Sequence, residues 1–149
     1  MTRILALDIG ERRIGVALSD ETATIAQPLT VIERESIAKD VERIAQMLRQ
    51  HAAGEVVVGQ PRTLRGEQAQ AVHKVQAFVA HLRAVLNVPI ALMDERLSTV
   101  EADRRMREAE VRRERRRQKV DAVAAALILE RYLAQRGAKE NRDAQLDSG

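Results

Sequence analysis

The chain has 149 residues, 45% of them apolar and 32% charged, a balance that fits one globular domain with a buried core and excludes a wholly disordered chain. It has no cysteine, which excludes disulfide frameworks, zinc–thiolate sites and thiol catalysis. Its aromatics are Phe78 and Tyr132, too few for the base-stacking platform of a single-strand binder, so any nucleic acid must be gripped by charge and backbone geometry.

In chain order, residues 3–9 and 14–19 are predicted strands, joined by a hairpin turn at Gly10-Glu11-Arg12-Arg13. A third strand is expected over about residues 25–32, where Pro28 marks an edge or bulged strand. Ser36 is a candidate N-cap for a helix reaching about His51, with Ile37, Val41, Ile44 and Leu48 at helical spacing. The β-branched run from Glu55 to Gly59 reads as a buried strand. A loop follows over residues 60–66, then a helix to about Leu86 whose stripe is Val72, Val75, Val79, Leu82 and Leu86.

Val88-Pro89 opens a strand over residues 90–94, and Ser98 or Thr99 caps a helix to about Glu110. The last helix is predicted from about Lys119 to Gln135, ended by Gly137, with a polar, disordered tail over residues 137–149. This order predicts an α/β fold: a mixed sheet of three antiparallel strands then two parallel ones, with helices on both faces. The longest apolar run, Ala122 to Leu129, falls far short of the roughly 18–20 residues that cross a bilayer. No signal-peptide pattern opens the chain, so a cytoplasmic protein with no membrane partner is expected.

The net charge of +3 is unevenly spread. Residues 1–60 hold 7 basic and 9 acidic side chains, and residues 61–149 hold 18 and 13. Much of the excess lies in Arg112, Arg113, Arg115, Arg116, Arg117 and Lys119, interrupted by one acid, Glu114. Of the 25 basic residues, 21 are Arg, which binds phosphate through two parallel bonds where Lys acts as a point charge. The segment reads either as a solvated helix face or as a phosphate-contacting strip.

Three acids stand out against their surroundings. Asp8 shares a strand face with Ile4 and Ala6, where a carboxylate is expensive unless something positive meets it; otherwise it caps the following turn. Glu95 follows the strand at residues 90–94, at the strand end where open α/β sheets bind ligands, and its alternative is an exposed loop acid beside Arg96. Asp121 is the only ionisable residue between Lys119 and Glu130, in a helix apolar nearly all round, and its alternative is a first-turn acid favoured by the helix dipole. Taken together, three carboxylates fit Mg²⁺ or Mn²⁺, and two such ions about 3.5–4 Å apart can hydrolyse a phosphodiester. His51, His73 and His81 show no metal-ligand spacing.

The segment Leu7-Asp8-Ile9-Gly10-Glu11-Arg12-Arg13-Ile14-Gly15-Val16-Ala17-Leu18-Ser19-Asp20 resembles the opening motif of the YqgF/RuvX family. Val57-Val58-Gly59-Gln60-Pro61 with Gly66-Glu67 resembles its second motif, and Asp94-Glu95-Arg96-Leu97-Ser98-Thr99 its third. Lys119-Val120-Asp121 with Ala124-Ala125 and Ile128-Leu129 resembles the fourth. The resemblance implies a ribonuclease H-like nuclease domain over residues 1–136, with Asp8, Glu95 and Asp121 as catalytic, metal-binding acids. It also implies substrate contacts by Arg13 and Arg96. After Pro61 the family's Asn-Met-Asp-Gly-like loop is replaced by Arg62-Thr63-Leu64-Arg65-Gly66, where Arg62 and Arg65 favour phosphate contact over base reading.

The expected function is a two-metal nuclease with Arg112 to Lys119 clamping the backbone, and the resemblance implies structured RNA as its substrate, in 5′-end processing of pre-16S rRNA. The alternatives are a Holliday junction resolvase, which needs a homodimer to make paired cuts in branched DNA, and a non-catalytic nucleic-acid-binding module.

Overall fold

The computed structural model describes residues 2–60, 67–94 and 121–137. Its centre is β1 (Arg3–Ile9), whose alternation sends Leu5 and Leu7 to one face and Ile4, Ala6 and Asp8 to the other. β2 (Arg13–Ser19) pairs antiparallel with β1, and β3 (Ala26–Glu33) pairs antiparallel with β2. β4 (Ala53–Gln60) lies parallel on the other side of β1, and β5 (Ile90–Asp94) lies parallel outside β4. The sheet order is β3-β2-β1-β4-β5, the predicted mixed sheet.

Pro28 sits where an edge strand tolerates it. Thr30 stands opposite Val16 and Pro28 opposite Ala17, so Leu29 is the extra residue of a bulge. β2 starts one residue earlier than predicted, because the Gly10 N–H donates to the Arg13 carbonyl (2.9 Å) and draws Arg13 into the ladder opposite Glu33. β4 starts two residues earlier, where Ala53 pairs with Arg3.

Helices cover both faces. On one side α1 (Ile37–Gln50) and α2 (Glu67–Val85) pack on Leu5, Leu7, Val16, Val56 and Val58. Ser36 caps α1 as predicted, its hydroxyl accepting from the Lys39 N–H (3.2 Å). Phe78, the largest fully buried side chain, belongs to the α2 stripe that the valines and leucines announced. On the opposite face residues 121–137 form a helix, α3, seated on Ile4, Ala6, Ala17, Val57 and Met93. Gly137 is the last described residue and is itself helical, so the predicted ending there lies at the limit of the described residues. The far end of α3 is tied down where Arg136 Nη1 meets Glu55 Oε2 at 3.1 Å. Burial and a hydrogen bond with Glu55 push the nearby Tyr132 hydroxyl up to about 12. The predicted helix after Ser98, and the tail from residue 138, lie outside the described residues. No helix among the described residues is long and apolar enough to cross a membrane.

The α3 face of the sheet carries small residues at Ala6, Gly15 and Ala17, and there the helix can approach closely. The closest approach is at Gly15, where an added Cβ would fall 1.9 Å from the Asp121 carbonyl oxygen and 3.1 Å from the Ala122 nitrogen. Backbone, not a flexible side chain, occupies that space, so the helix itself must move. Gly15→Ala is therefore expected to cost at least the roughly 1–3 kcal/mol of an overpacked core, a fall of several degrees in Tm on thermal unfolding. An unchanged Tm would contradict this packing.

Candidate active site

Asp8 lies one residue before the end of β1, the central strand, and stands directly opposite Gly15 in the antiparallel ladder. Paired residues share a face, so both look toward α3. Because the Asp121 backbone fills the space beside Gly15, the first described residue of α3 is brought beside Asp8. Arg13, two residues before Gly15 on β2, projects to the same face. All three side chains are half-buried.

This proximity shapes the electrostatics of the site. Burial raises the pKa of Asp121 above the ordinary carboxylate value, the negative charge of Asp8 raises it further, and the Arg13 guanidinium pulls it back. Like-charged oxygens held together at the edge of a core fit a hard divalent cation, which would relieve both desolvation and repulsion. The location agrees, since the carboxyl ends of the parallel strands β1, β4 and β5 lie at one end of the sheet.

Of the residues predicted from sequence, the structure brings together Asp8, Asp121 and Arg13. Glu95, the residue after β5, lies outside the described residues, as do Arg62, Arg65, Arg96, Arg112, Arg113, Arg115, Arg116, Arg117 and Lys119. Among the described residues no group of three or more His, Asp or Glu side chains gathers into a metal-ligand cluster. Sequence reasoning passed over Gly15, although an isolated glycine inside an apolar strand is the usual sign of a close backbone approach. It also passed over Asp40, which is 1% exposed.

A groove of about 360 Å³ adjoins the site, lined by Arg13 and Ala122 at one end and by Pro28, Leu29, Thr30, Val31 and Glu33 of β3. A second cavity, near Arg3, Ser19 and Asp20, lies at the other end of β2. There Asp20 accepts the Thr24 and Ile25 N–H groups (2.7 and 2.9 Å) and the Thr22 hydroxyl. These bonds hold its carboxyl well below the usual range and shape the β2–β3 loop.

Residues 2–135 match the family model described as "RuvX: Holliday junction resolvase". The chain is 46% identical over 132 residues to a protein of Thermoanaerobacter pseudethanolicus, covering 88% of this chain and 95% of that one. It is 45% identical over 139 residues to a protein of Desulforudis audaxviator, covering 93% and 99%. Both carry the name "Putative pre-16S rRNA nuclease". Among solved structures it is similar to Thermus thermophilus RuvC in complex with a Holliday junction substrate, with TM-score 0.59 and 17% identity over 90% of this chain and 95% of that one. The fowlpox virus resolvase bound to Holliday junction DNA gives TM-score 0.52 and 11% identity over 89% and 97%. At such identities the likeness shows the fold, which is that of the ribonuclease H-like resolvases.

An acid whose pKa is raised by folding binds more protons folded than unfolded, so stability falls as pH rises from the ordinary carboxylate range through the raised value. In a chelator, Asp121→Asn should therefore melt higher than the wild type at neutral pH, with the advantage fading below about pH 4. Adding Mg²⁺ or Mn²⁺ should stabilise the wild type more than the variant. Thermal melts across this pH range check both points, and a variant that melts lower at neutral pH would contradict the assigned environment.

Proposed function

This chain belongs to the RuvX Holliday junction resolvase family, and from that premise we propose that it is a divalent-metal-dependent nuclease that trims the 5′ end of pre-16S rRNA in the cytoplasm. One observation carries the reading: Asp8 and Asp121, far apart in sequence, meet on one face of the central strand as like negative charges. The name shared by relatives about 45% identical over nearly their whole length supports rRNA as substrate.

In this reading Asp8, Asp121 and Glu95 hold Mg²⁺ or Mn²⁺, two ions in the complete site. Bound there, the metal would supply Lewis-acid activation of water and charge neutralisation at the phosphodiester. The chain's own part is positional. β1 presents Asp8 from a rigid central strand, and α3 presents Asp121 from a helix that cannot slide without clearing Gly15. Arg13 offsets the negative charge of the pair and faces the groove along β3, where it can hold a phosphate beside the cut. Arg62, Arg65, Arg96 and the run Arg112, Arg113, Arg115, Arg116, Arg117 and Lys119 extend this grip on the backbone. Their charge is indifferent to sequence, which suits recognition by shape.

The fold shared with junction-bound resolvases favours branched DNA as the second substrate, and paired cuts there require two copies of the chain. The test is a cleavage panel of a pre-16S 5′ leader, single-stranded RNA and a four-way DNA junction, each with Mg²⁺ and Mn²⁺. Specific cutting of the leader is expected. Asp8→Asn, Asp121→Asn and Glu95→Gln should each lower the rate by more than the roughly 10–100-fold that supporting partners of a metal ligand command. Cutting of the junction alone would move the assignment to DNA, and undiminished cutting by Asp8→Asn would remove the site.

A further inference from the structure

The turn between β1 and β2 starts two residues after Asp8 and ends on Arg13, so its shape sets the relation between these two side chains. Three contacts hold it from the side facing away from α3. Arg34 Nη1 donates to the Gly10 carbonyl (2.9 Å), the Arg34 N–H donates to the Arg12 carbonyl (2.9 Å), and Lys74 of α2 lies 3.6 Å from the Glu11 carboxylate. The lysine pair is exposed on both sides and adds little. Arg34 is different, for it is itself held.

Arg34 Nε meets Asp40 Oδ2 at 3.3 Å, and the other Asp40 oxygen accepts the Glu35 N–H at 3.1 Å. The guanidinium also lies over the buried Phe78 ring, 5.4 Å from its centroid. With Nε on a buried carboxylate and the plane over an aromatic face, the fork is oriented so that Nη1 reaches the Gly10 carbonyl. The side chain thus connects α1, α2 and the β1–β2 turn.

We propose that Arg34 is a positioning residue for the metal site, acting through the Gly10–Arg13 turn to fix Asp8 against Arg13 and Asp121. It touches neither substrate nor metal. The proposal rests on the reading of Asp8 and Asp121 as metal ligands. A lysine at position 34 keeps a positive charge for buried Asp40 but cannot span Asp40 and Gly10 at once.

The test compares wild type, Arg34→Lys and Asp40→Asn in melting, in steady-state cleavage of the pre-16S leader, and in metal-free amide exchange. Mn²⁺ affinity is measured by titration with Mn²⁺ alone. Arg34→Lys is expected to hold its Tm within a few degrees while kcat falls at least tenfold and KM stays within about twofold. Its Gly10 amide should exchange at least tenfold faster, and Mn²⁺ should bind at least fivefold more weakly. Asp40→Asn leaves one oxygen for two donors but keeps the Arg34 bond to the Gly10 carbonyl, so it should lower Tm more than Arg34→Lys and lower kcat less. If wild type cuts nothing, the nuclease reading fails, yet exchange and Mn²⁺ binding still decide the role of Arg34. Wild-type exchange and Mn²⁺ affinity in Arg34→Lys would overturn the proposal. So would rate losses that merely track Tm in both variants.

Discussion

A helix can lie against a sheet only as closely as the side chains between them allow, and here that distance is set by the hydrogen atom at Gly15. Any larger residue would place a carbon within bonding range of the Asp121 carbonyl oxygen. Near Gly15, Ala6 and Ala17 of the sheet share one buried cluster with Ala125 and Ala126 of the helix. Small residues meeting small residues give up apolar area per contact but let the backbones approach. That approach fixes the height and rotation of α3, and with them the place of Asp121 beside Asp8. The arrangement of charge at the site follows from a packing constraint.

The two faces of the sheet treat buried acids in opposite ways. On the α1 and α2 face, Asp40 is nearly inaccessible and is matched by a guanidinium and a backbone N–H. Breaking such a pair by removing one partner typically costs about 3–5 kcal/mol, so its role there includes stability. On the α3 face, Asp121 is partly desolvated and meets another negative charge, with Arg13 as the opposing cation. That is a stability cost at neutral pH in the absence of metal, and folds keep such costs where a ligand or a reaction repays them. Both faces act on the same strand. β1 ends in the turn that Arg34 holds from one side, and its Asp8 looks toward α3 on the other.

Much of this was legible in the sequence because periodicity is a local property. The alternation of RILALDI and RIGVALS, the bulge at Pro28, the Ser36 cap and the valine stripe of α2 are each read within a few residues. Asp8 and Asp121 were visible as charges out of keeping with apolar surroundings. What the sequence hid was whatever depends on distant partners. Asp40 sits in a helix rich in charge, and nothing nearby reveals that its face turns inward to meet Arg34. Gly15 looks like a weak point in a strand until the helix more than one hundred residues later fills its space.

Asp8 and Asp121 form one electrostatic unit, and in the proposed function that unit receives a divalent cation. Carboxyl ¹³C titration of Asp121 by NMR measures this most directly, in wild type and in Asp8→Asn, each with and without Mg²⁺. In metal-free wild type, Asp121 should titrate above the ordinary carboxylate value, and Asp8→Asn should move it down. Mg²⁺ should lower the wild-type value further and have a smaller effect on the variant. An Asp121 that titrates identically in wild type and Asp8→Asn, and ignores Mg²⁺ in both, would contradict the claim.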